Sequence, residues 1–185
     1  VQIIDPANYA EYDEMVAKFV ERRKGKATEE KARVQLLDPN YFGTMLIFMG
    51  KADGMVSGAC HSTGDTVRPA LQIVKMKPGC SRVSGAMVML KGEERYLFSD
   101  IAINITVDAQ AMGEIAVESA KTAKTFDIDP KVALLSFSTM GSAVSPESQK
   151  VAEATKIAQE LAPELPIDGE LQFDAAFVAS VGERK

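Results

Sequence analysis

The sequence predicts an α/β fold with a mostly parallel sheet. Short apolar runs typical of buried strands alternate with longer segments in which apolar residues recur at helical spacing. Strands that alternate with helices in this way usually build a parallel sheet covered by the helices. With 185 residues, 46% of them hydrophobic, the chain is long enough to bury a core in one or two domains.

The first 50 residues are predicted to be mainly helical. A strand end at residues 2–4 leads through the turn Asp5-Pro6 into a first helix, and Thr28 is expected to cap a second helix that runs to about Leu37. A third helix begins near Pro39. The apolar face of the first helix is predicted to contain Tyr12, Met15, Val16, Phe19 and Val20, and that of the third Phe42, Met45, Leu46 and Met49.

A strand, a polar loop and a helix are predicted for residues 54–75. Met55-Val56 would end the strand, and Asp65-Thr66 would cap the helix, with Pro69 in its first turn. The residues predicted to face the core are Val67, Ala70, Leu71 and Val74. Such a junction points backbone N–H groups and the positive end of a helix at the loop, which favours an anion.

Three side chains at this junction are candidates to hold a phosphate-bearing substrate. Ser62 and Thr63 offer hydroxyl groups, and Arg68 adds a permanent charge with planar, two-pronged donors. The alternative interpretation is a well-capped turn, in which Arg68 only pairs with Asp65.

The second part of the chain is predicted to begin with an antiparallel hairpin, residues 82–90 and 95–104, after a domain boundary at Pro78-Gly79. Asp108 would cap the next helix. A buried strand at 131–137 leads into a second polar loop, residues 138–142. Further on, Ser145-Pro146 is expected to start a helix, and a short strand is followed by a helix opened by Asp174.

Arg23 differs from the other cations of the run ERRKGK in its position on the first helix. At 100° per residue it falls near the middle of the apolar stripe, where a charge is costly without a partner. Arg22, Lys24 and Lys26 are interpreted as a solvated helix end. The pattern therefore predicts a specific partner for Arg23 alone.

Composition argues against several classes of function. A net charge of −5 disfavours nucleic-acid binding, and two cysteines with one histidine provide neither a disulfide framework nor zinc-ligand spacing. No apolar run is long enough to cross a membrane and no signal peptide opens the chain, so a soluble cytoplasmic protein is expected. The chain begins without Met and is expected to be an internal piece of a longer protein.

Three strings, spread in order along the chain, resemble the phosphate acetyl/butyryltransferase family. They are SGACHSTGDTVRPALQIVK at 57–75, LLSFSTMGSA at 134–143 and DGELQFDAAFV at 168–178. The resemblance is strongest to phosphate acetyltransferases. It implies two α/β domains of the isocitrate/isopropylmalate dehydrogenase-like type with the active site in the cleft between them. Residues 1–80 would be part of the first domain and 81–185 part of the second, with the fold incomplete at both ends.

The resemblance also implies a reaction. Coenzyme A and acetyl phosphate would be the substrates, with no separate cofactor or metal, and the thiolate of coenzyme A would attack the acetyl carbon while orthophosphate leaves. Family members form homodimers, so a homodimer is expected. An Asn-Asp-Leu-Ser-Arg segment supplies the catalytic base in the family, and because it does not occur here, the 185 residues alone are expected to have little activity.

The family's functional residues can be carried over onto matching positions. Arg68 matches an arginine implicated in coenzyme A binding and catalysis, and Arg23 one implicated in coenzyme A binding. The remaining substrate-binding positions implied are Ser62, Thr63, Ser138, Thr139, Gly141 and Ser142. The family commonly has lysine where this chain has Met140, which removes a possible charge from that loop. His61 and Cys60 are interpreted as structural, and Glu170 is among the acidic residues expected to orient other groups or support the fold.

Three other interpretations remain open. One is a non-catalytic domain of the phosphotransacetylase-like type that binds an acyl-coenzyme A regulator. Another is a phosphate butyryltransferase, which shares the architecture. A dinucleotide-dependent dehydrogenase of the same fold is disfavoured because no GxGxxG or metal motif is present.

Overall fold

A computed structural model describes residues 2–185 and divides the chain into two compact units, residues 1–77 and 78–185. Each unit contains a hydrophobic cluster of its own. None of the helices among residues 2–185 combines the length and the apolarity needed to cross a membrane.

The first unit is helical. After a 3-10 turn at Pro6–Asn8 it contains α1 (Tyr12–Arg23), α2 (Glu29–Gln35), α3 (Pro39–Phe48) and α4 (Thr63–Ile73). The predicted cap Thr28 accepts a hydrogen bond from the Lys31 amide, and Asp38 caps α3 in the same way. These caps satisfy amides that have no partner within their helices.

The core of the first unit forms where the apolar faces of these helices meet. Met15, Val16 and Phe19 of α1 are fully or almost fully buried, as the helical spacing predicts. They pack in one cluster with Leu36, Met45 and Ile73, among others. Burial of side chains of this size contributes about 1.5–3 kcal/mol each, which fixes the four helices around one centre.

Two predicted strands of the first unit do not form. Residues 2–4 and Met55-Val56 have no strand structure, Ile3 is 92% exposed and Val56 is fully exposed. A strand requires a neighbour to pair its backbone, and within the described residues of this unit there is no other strand. The segment before α4 is instead an extended loop, anchored where the Ser57 hydroxyl donates a hydrogen bond to the buried Asn40 side chain.

Helix α4 also differs from its prediction. Ser62, not Asp65 or Thr66, is the N-cap, and Pro69 lies inside the helix beyond the first turn. The buried positions are Pro69 and Ile73, whereas Leu71 and Val74 are about half exposed. Pro69 and Ile73 are four residues apart and therefore lie on the same face of the helix.

The second unit combines helices with two small sheets. Its elements are β1 (Ala86–Lys91), β2 (Glu94–Ser99), α5 (Ala109–Thr125), β3 (Val132–Leu135), α6 (Pro146–Leu161), β4 (Ile167–Leu171), α7 (Phe173–Phe177) and α8 (Ala179–Gly182). The side chains of the predicted caps Asp108 and Ser145 both accept hydrogen bonds from backbone amides of their helices. Gln172, rather than Asp174, occupies the N-cap position of α7.

The two sheets of the second unit have opposite topologies. The predicted antiparallel hairpin is confirmed, with Ala86 opposite Ser99 and Lys91 opposite Glu94. Strands β3 and β4 are parallel and are connected by α6, which packs on them together with α5. The expected mostly parallel sheet is therefore represented, within residues 2–185, by one parallel pair, beside the separate antiparallel hairpin.

Candidate functional site

The N-terminus of α4 brings together the first group of predicted site residues. The Ser62 hydroxyl accepts a hydrogen bond from the Asp65 amide and donates one of 2.7 Å to the Asp65 carboxylate. Thr63 and Gly64 are the first residues of the helix, and amides at these positions have no partner within a helix. The first turn of α4 therefore carries free donors at the positive end of the helix dipole.

Arg68 lies on the same turn and adds a full positive charge. Its side chain is 60% exposed and its Nη1 lies 3.6 Å from the Asp65 carboxylate. Its Nη2 would be 3.9 Å from a Cβ placed on Gly64. The guanidinium thus lies over the start of α4, beside the Ser62 hydroxyl, with only a weak exposed ion pair to hold it. An anion at this turn would meet the guanidinium and the free helix amides together, and it would compete with the Asp65 carboxylate for Arg68 and for the Ser62 hydroxyl.

The two neighbouring residues with reactive side chains are exposed. His61 and Cys60 both lie in the loop before α4. Within residues 2–185, His61 forms no ion pair with a carboxylate that could orient its ring. This arrangement gives His61 no acid partner of the kind that a general base uses.

The structure corrects the prediction about the basic run at the end of α1. Arg22, interpreted as a solvated residue, is the arginine with specific partners: its Nε and Nη2 donate hydrogen bonds of 2.6 and 3.0 Å to the carbonyl oxygens of Ile73 and Val74. Arg23 is half-buried, and its side chain forms no hydrogen bond or ion pair with the residues that the structure describes. The helical projection failed because it ranked positions by angle alone, whereas a long arginine side chain can reach acceptors well off the apolar stripe.

The second predicted group lies in the loop between β3 and α6. Ser138 and Thr139 are buried, whereas Gly141 and Ser142 are exposed. The carboxylate of Glu170 joins them: its Oε1 accepts a hydrogen bond of 2.7 Å from the Gly141 amide and one of 3.0 Å from the Ser138 hydroxyl. The two motifs at 134–143 and 168–178 thus meet at one carboxylate oxygen.

A β-bulge at the end of β4 aims Glu170 at this loop. Leu134 pairs with Gly169 and Leu135 pairs with Leu171, so Glu170 is the extra residue in the register. A Cβ on Gly169 would lie 2.7 Å from Thr155 Oγ1 and 2.8 Å from the carbonyl oxygen of Leu134, so only glycine fits there. The bulge and its glycine together place the carboxylate under the loop.

Hydrogen bonds satisfy every backbone amide of residues 138–143 within the protein. The Met140 amide donates to the backbone carbonyl oxygen of Glu170, the Gly141 amide to its carboxylate, and the Ser142 amide to the Thr139 carbonyl oxygen. The remaining three donate to hydroxyl groups: Ser138 to Ser136, Thr139 to Ser142 and Ala143 to Ser138. The amides of this loop are therefore all paired within the protein, and its three hydroxyl groups also take part in these hydrogen bonds.

The environment keeps Glu170 ionised. Hydrogen bonding from the Gly141 amide is the main cause that lowers the pKa of its carboxyl group, with a smaller contribution from the Ser138 hydroxyl. Burial opposes this shift but does not reverse it. At neutral pH the loop is organised around a negative charge.

A separate cavity of about 200 Å³ lies in the second unit between α5 and residues 79–84. Cys80, Glu114, Glu118 and Lys121 are among its lining residues, and none of the predicted site residues is. Among residues 2–185, no three His, Cys, Asp or Glu side chains are grouped so that they could hold a metal ion.

Comparisons with known proteins assign the chain to a family. The sequence model of the family described as "Phosphate acetyl/butaryl transferase" matches residues 1–185. The chain is 64% identical to the phosphate acetyltransferase of Bacillus subtilis strain 168 over 185 residues, and 63% identical over 191 residues to that of Staphylococcus epidermidis strain ATCC 12228. These alignments cover all of this chain but 57% and 58% of the two relatives.

Solved structures give the same result for the fold. The EutD phosphotransacetylase of Staphylococcus aureus is 60% identical with a TM-score of 0.90, and the alignment covers 100% of this chain and 57% of that one. A phosphotransacetylase from Streptococcus pyogenes is 61% identical with the same TM-score, over 98% of this chain and 56% of the other. The α/β fold expected from the sequence is thus the fold of phosphotransacetylase structures, and the chain spans little more than half the length of the proteins that it matches. The chain belongs to the phosphate acetyl/butaryl transferase family.

Proposed function

We propose that the full-length protein is a phosphate acetyltransferase, which transfers an acetyl group between acetyl phosphate and coenzyme A. The observation that carries this proposal is 64% identity, over the whole of this chain, to an enzyme of that name. The cluster of Ser62, Thr63 and Arg68 at the start of α4 supports it, because a cation and helix amides on one turn suit a phosphate group.

This reaction requires positive charge and hydrogen-bond donors near the reacting groups. A thiol with a pKa of about 8.5 is mostly protonated at neutral pH, so a base or a positive field must raise the thiolate fraction. The departing phosphate and the carbonyl oxygen both gain negative charge in the transition state. We assign to Arg68 the stabilisation of that charge, and to the hydroxyl groups of Ser62 and Thr63 contacts with the phosphate.

Basic residues in the first unit support binding of coenzyme A, whose phosphates are strongly anionic. The charge of Arg22 is the main cause that lowers the pKa of Lys75, and Lys24, Lys26 and Arg23 act in the same direction. Lys75 is therefore repelled by four neighbouring cations, and a polyanionic ligand would relieve that repulsion. We retain Arg23 as a coenzyme A contact because its side chain is not engaged elsewhere in the described structure.

The test measures thioester formation from acetyl phosphate and coenzyme A by absorbance, using the full-length enzyme. We expect Arg68→Gln to lower kcat/KM by about ten- to hundredfold, the effect of one charge-assisted hydrogen bond. Arg33→Gln is the matched control, because the ion pairs of that exposed arginine among the described residues are with Asp13 and Glu29. Equal turnover of Arg68→Gln and the wild type would remove Arg68 from the site.

The same assay addresses the function itself. A wild-type enzyme without thioester formation would contradict the proposed activity and favour an acyl-coenzyme A-binding regulatory domain, which equilibrium binding of acetyl-coenzyme A would detect. Faster turnover of butyryl phosphate than of acetyl phosphate would identify a butyryltransferase instead.

The proposal also covers the domain architecture, the oligomeric state and the cellular location of the full-length protein. We infer that the full-length chain forms two α/β domains of the isocitrate/isopropylmalate dehydrogenase-like type with the active site in the cleft between them. We further infer that it acts as a cytoplasmic homodimer without a separate cofactor. Sedimentation velocity of the purified enzyme would test the dimer, since a monomeric species at micromolar concentration contradicts it.

A further inference from the structure

We propose that Glu170 is a positioning residue whose carboxylate supplies the anion around which residues 138–142 fold, so that the phosphate of the substrate does not bind the Gly141 amide or the Ser138 hydroxyl. The kinetic part of this inference rests on the proposed acetyltransferase function. The inference that Glu170 is the anion of this loop does not depend on that function.

Two oxygens of Glu170 accept hydrogen bonds from the turn of this loop, at Met140 and Gly141, whose φ angles are 47° and 80°. The Met140 amide donates to the backbone carbonyl oxygen of Glu170 at 3.0 Å, and the Gly141 amide donates to Oε1 of its carboxylate at 2.7 Å. The Ser138 hydroxyl donates to the same Oε1 at 3.0 Å. The carboxylate therefore joins a backbone donor and a side-chain donor of the loop at one negatively charged oxygen.

The Glu170 carboxylate lies buried beneath the loop and is not a surface group. Glu170 is 5% exposed, and it is the one buried side chain with a formal charge among residues 2–185. Buried charges are retained only where donors or opposite charges compensate them. Within the described residues Glu170 has no cationic partner, so hydrogen-bond donors alone hold the charge.

An incoming phosphate would have to compete with this carboxylate. Every amide from Ser138 to Ala143 already donates within the protein, and an unpaired carboxylate repels a second anion at the same donors. The exposed hydroxyl of the loop is that of Ser142, which accepts a hydrogen bond from the Thr139 amide and has only a long contact of 3.4 Å, to the Ser138 hydroxyl, for its own proton. Glu170 therefore acts through the loop, by fixing where Ser142 lies.

Chemical rescue provides a direct test. Glu170→Ala in the full-length enzyme removes the carboxylate and leaves room for a small anion at the same donors. We expect a lower thermal midpoint and a KM for acetyl phosphate about tenfold higher, with the KM for coenzyme A within twofold of the wild type. Sodium formate should restore both the midpoint and the KM, whereas neutral formamide, of the same shape, should not.

Glu160→Ala is the matched control, because Glu160 is an exposed residue of α6. Its midpoint and kinetics should equal those of the wild type with and without formate. If Glu170→Ala does not fold, Glu170→Gln keeps the shape and removes the charge. We then expect a threefold to tenfold rise in the KM for acetyl phosphate, because a charged acceptor binds about twice as strongly as a neutral one.

Each outcome decides the inference. Wild-type KM values in Glu170→Ala or Glu170→Gln would overturn it, as would a loss of stability that formate does not restore. Equal increases in both KM values would indicate general damage and also overturn it. An inactive wild type would refute the proposed function, yet formate-dependent recovery of the thermal midpoint would still test Glu170 as the anion of the loop.

Discussion

The Nε atom of Arg22 donates a 2.6 Å hydrogen bond to the carbonyl oxygen of Ile73, across two helices of the first unit. A second bond, from Nη2 to the Val74 carbonyl oxygen, is 3.0 Å long, and the guanidinium lies 5.0 Å from the centroid of the Phe48 ring. The two carbonyls belong to the C-terminal end of α4, whose N-terminus carries Arg68. One arginine thus satisfies carbonyls that the helix leaves free and ties α4 to α1.

Replacement of Arg22 should destabilise the protein. We expect Arg22→Ala to lower the free energy of unfolding by about 1–3 kcal/mol, because two carbonyl oxygens lose a charged donor. Arg22→Lys should recover only part of this, since an ammonium group lacks the planar fork. Urea denaturation of the full-length enzyme measures the change, and Arg23→Ala is the control. An equal or larger loss in Arg23→Ala would contradict the assignment.

The role of Ser62 as an N-cap can be separated from any contact with substrate. Ser62→Ala should reduce stability by about 1 kcal/mol and Ser62→Gly by only a few tenths, as is usual for N-caps. Thr63→Ala should change stability by less than about 0.5 kcal/mol, because its side chain is exposed. The comparison is made by thermal unfolding at one pH. If Ser62→Ala and Thr63→Ala lose the same amount, the cap makes no special contribution.

Glu170 should make stability depend on pH in the acid range. Hydrogen bonding from the Gly141 amide lowers the pKa of its carboxyl group in the folded protein, so the folded state binds a proton less readily than the unfolded state. Its contribution is present in full above the ordinary glutamate pKa of about 4.3 and is lost as the pH falls through the lowered value.

The difference in unfolding free energy between the wild type and Glu170→Gln should therefore be constant from pH 6 to 8, and it should shrink as the pH falls below about 4. Urea denaturation at several pH values measures this difference in unfolding free energy, with Glu160→Gln as the control. A difference that grows toward acid pH would have the wrong sign and would refute the assignment.

Gly169 should tolerate no side chain. Its φ of 154° and the short distances from an added Cβ to Thr155 Oγ1 and the Leu134 carbonyl oxygen predict a loss of about 1–3 kcal/mol in Gly169→Ala. Gly54→Ala is the control, since an added Cβ there meets no atom of the described residues within 4 Å. Because Gly169 precedes Glu170, the variant should also raise the KM for acetyl phosphate. Wild-type stability in Gly169→Ala would show that the bulge can shift to make room.

Patterns local in sequence predicted most of the helices and three of their caps, whereas the predicted caps of α4 and α7 were wrong. Thr28, Asp108 and Ser145 cap the helices that they were predicted to cap, and Met15, Val16 and Phe19 are buried on the predicted face of α1. The antiparallel hairpin followed from two apolar runs joined by a polar turn. These features depend on residues within a few positions of one another, and the sequence displays such residues directly.

The sequence by itself determined the family, the helix boundaries to within a few residues and the identity of the two polar loops. Only the tertiary structure decided that Met55-Val56 forms no strand, that Arg22 rather than Arg23 has specific partners, and that Glu170 fills the donors of the 138–142 loop. A strand needs a neighbour, an arginine needs acceptors and a loop amide needs an oxygen, and in each case the partner is distant in the chain. Sequence spacing encodes the face on which a side chain lies, but not which distant group comes within 3 Å of it.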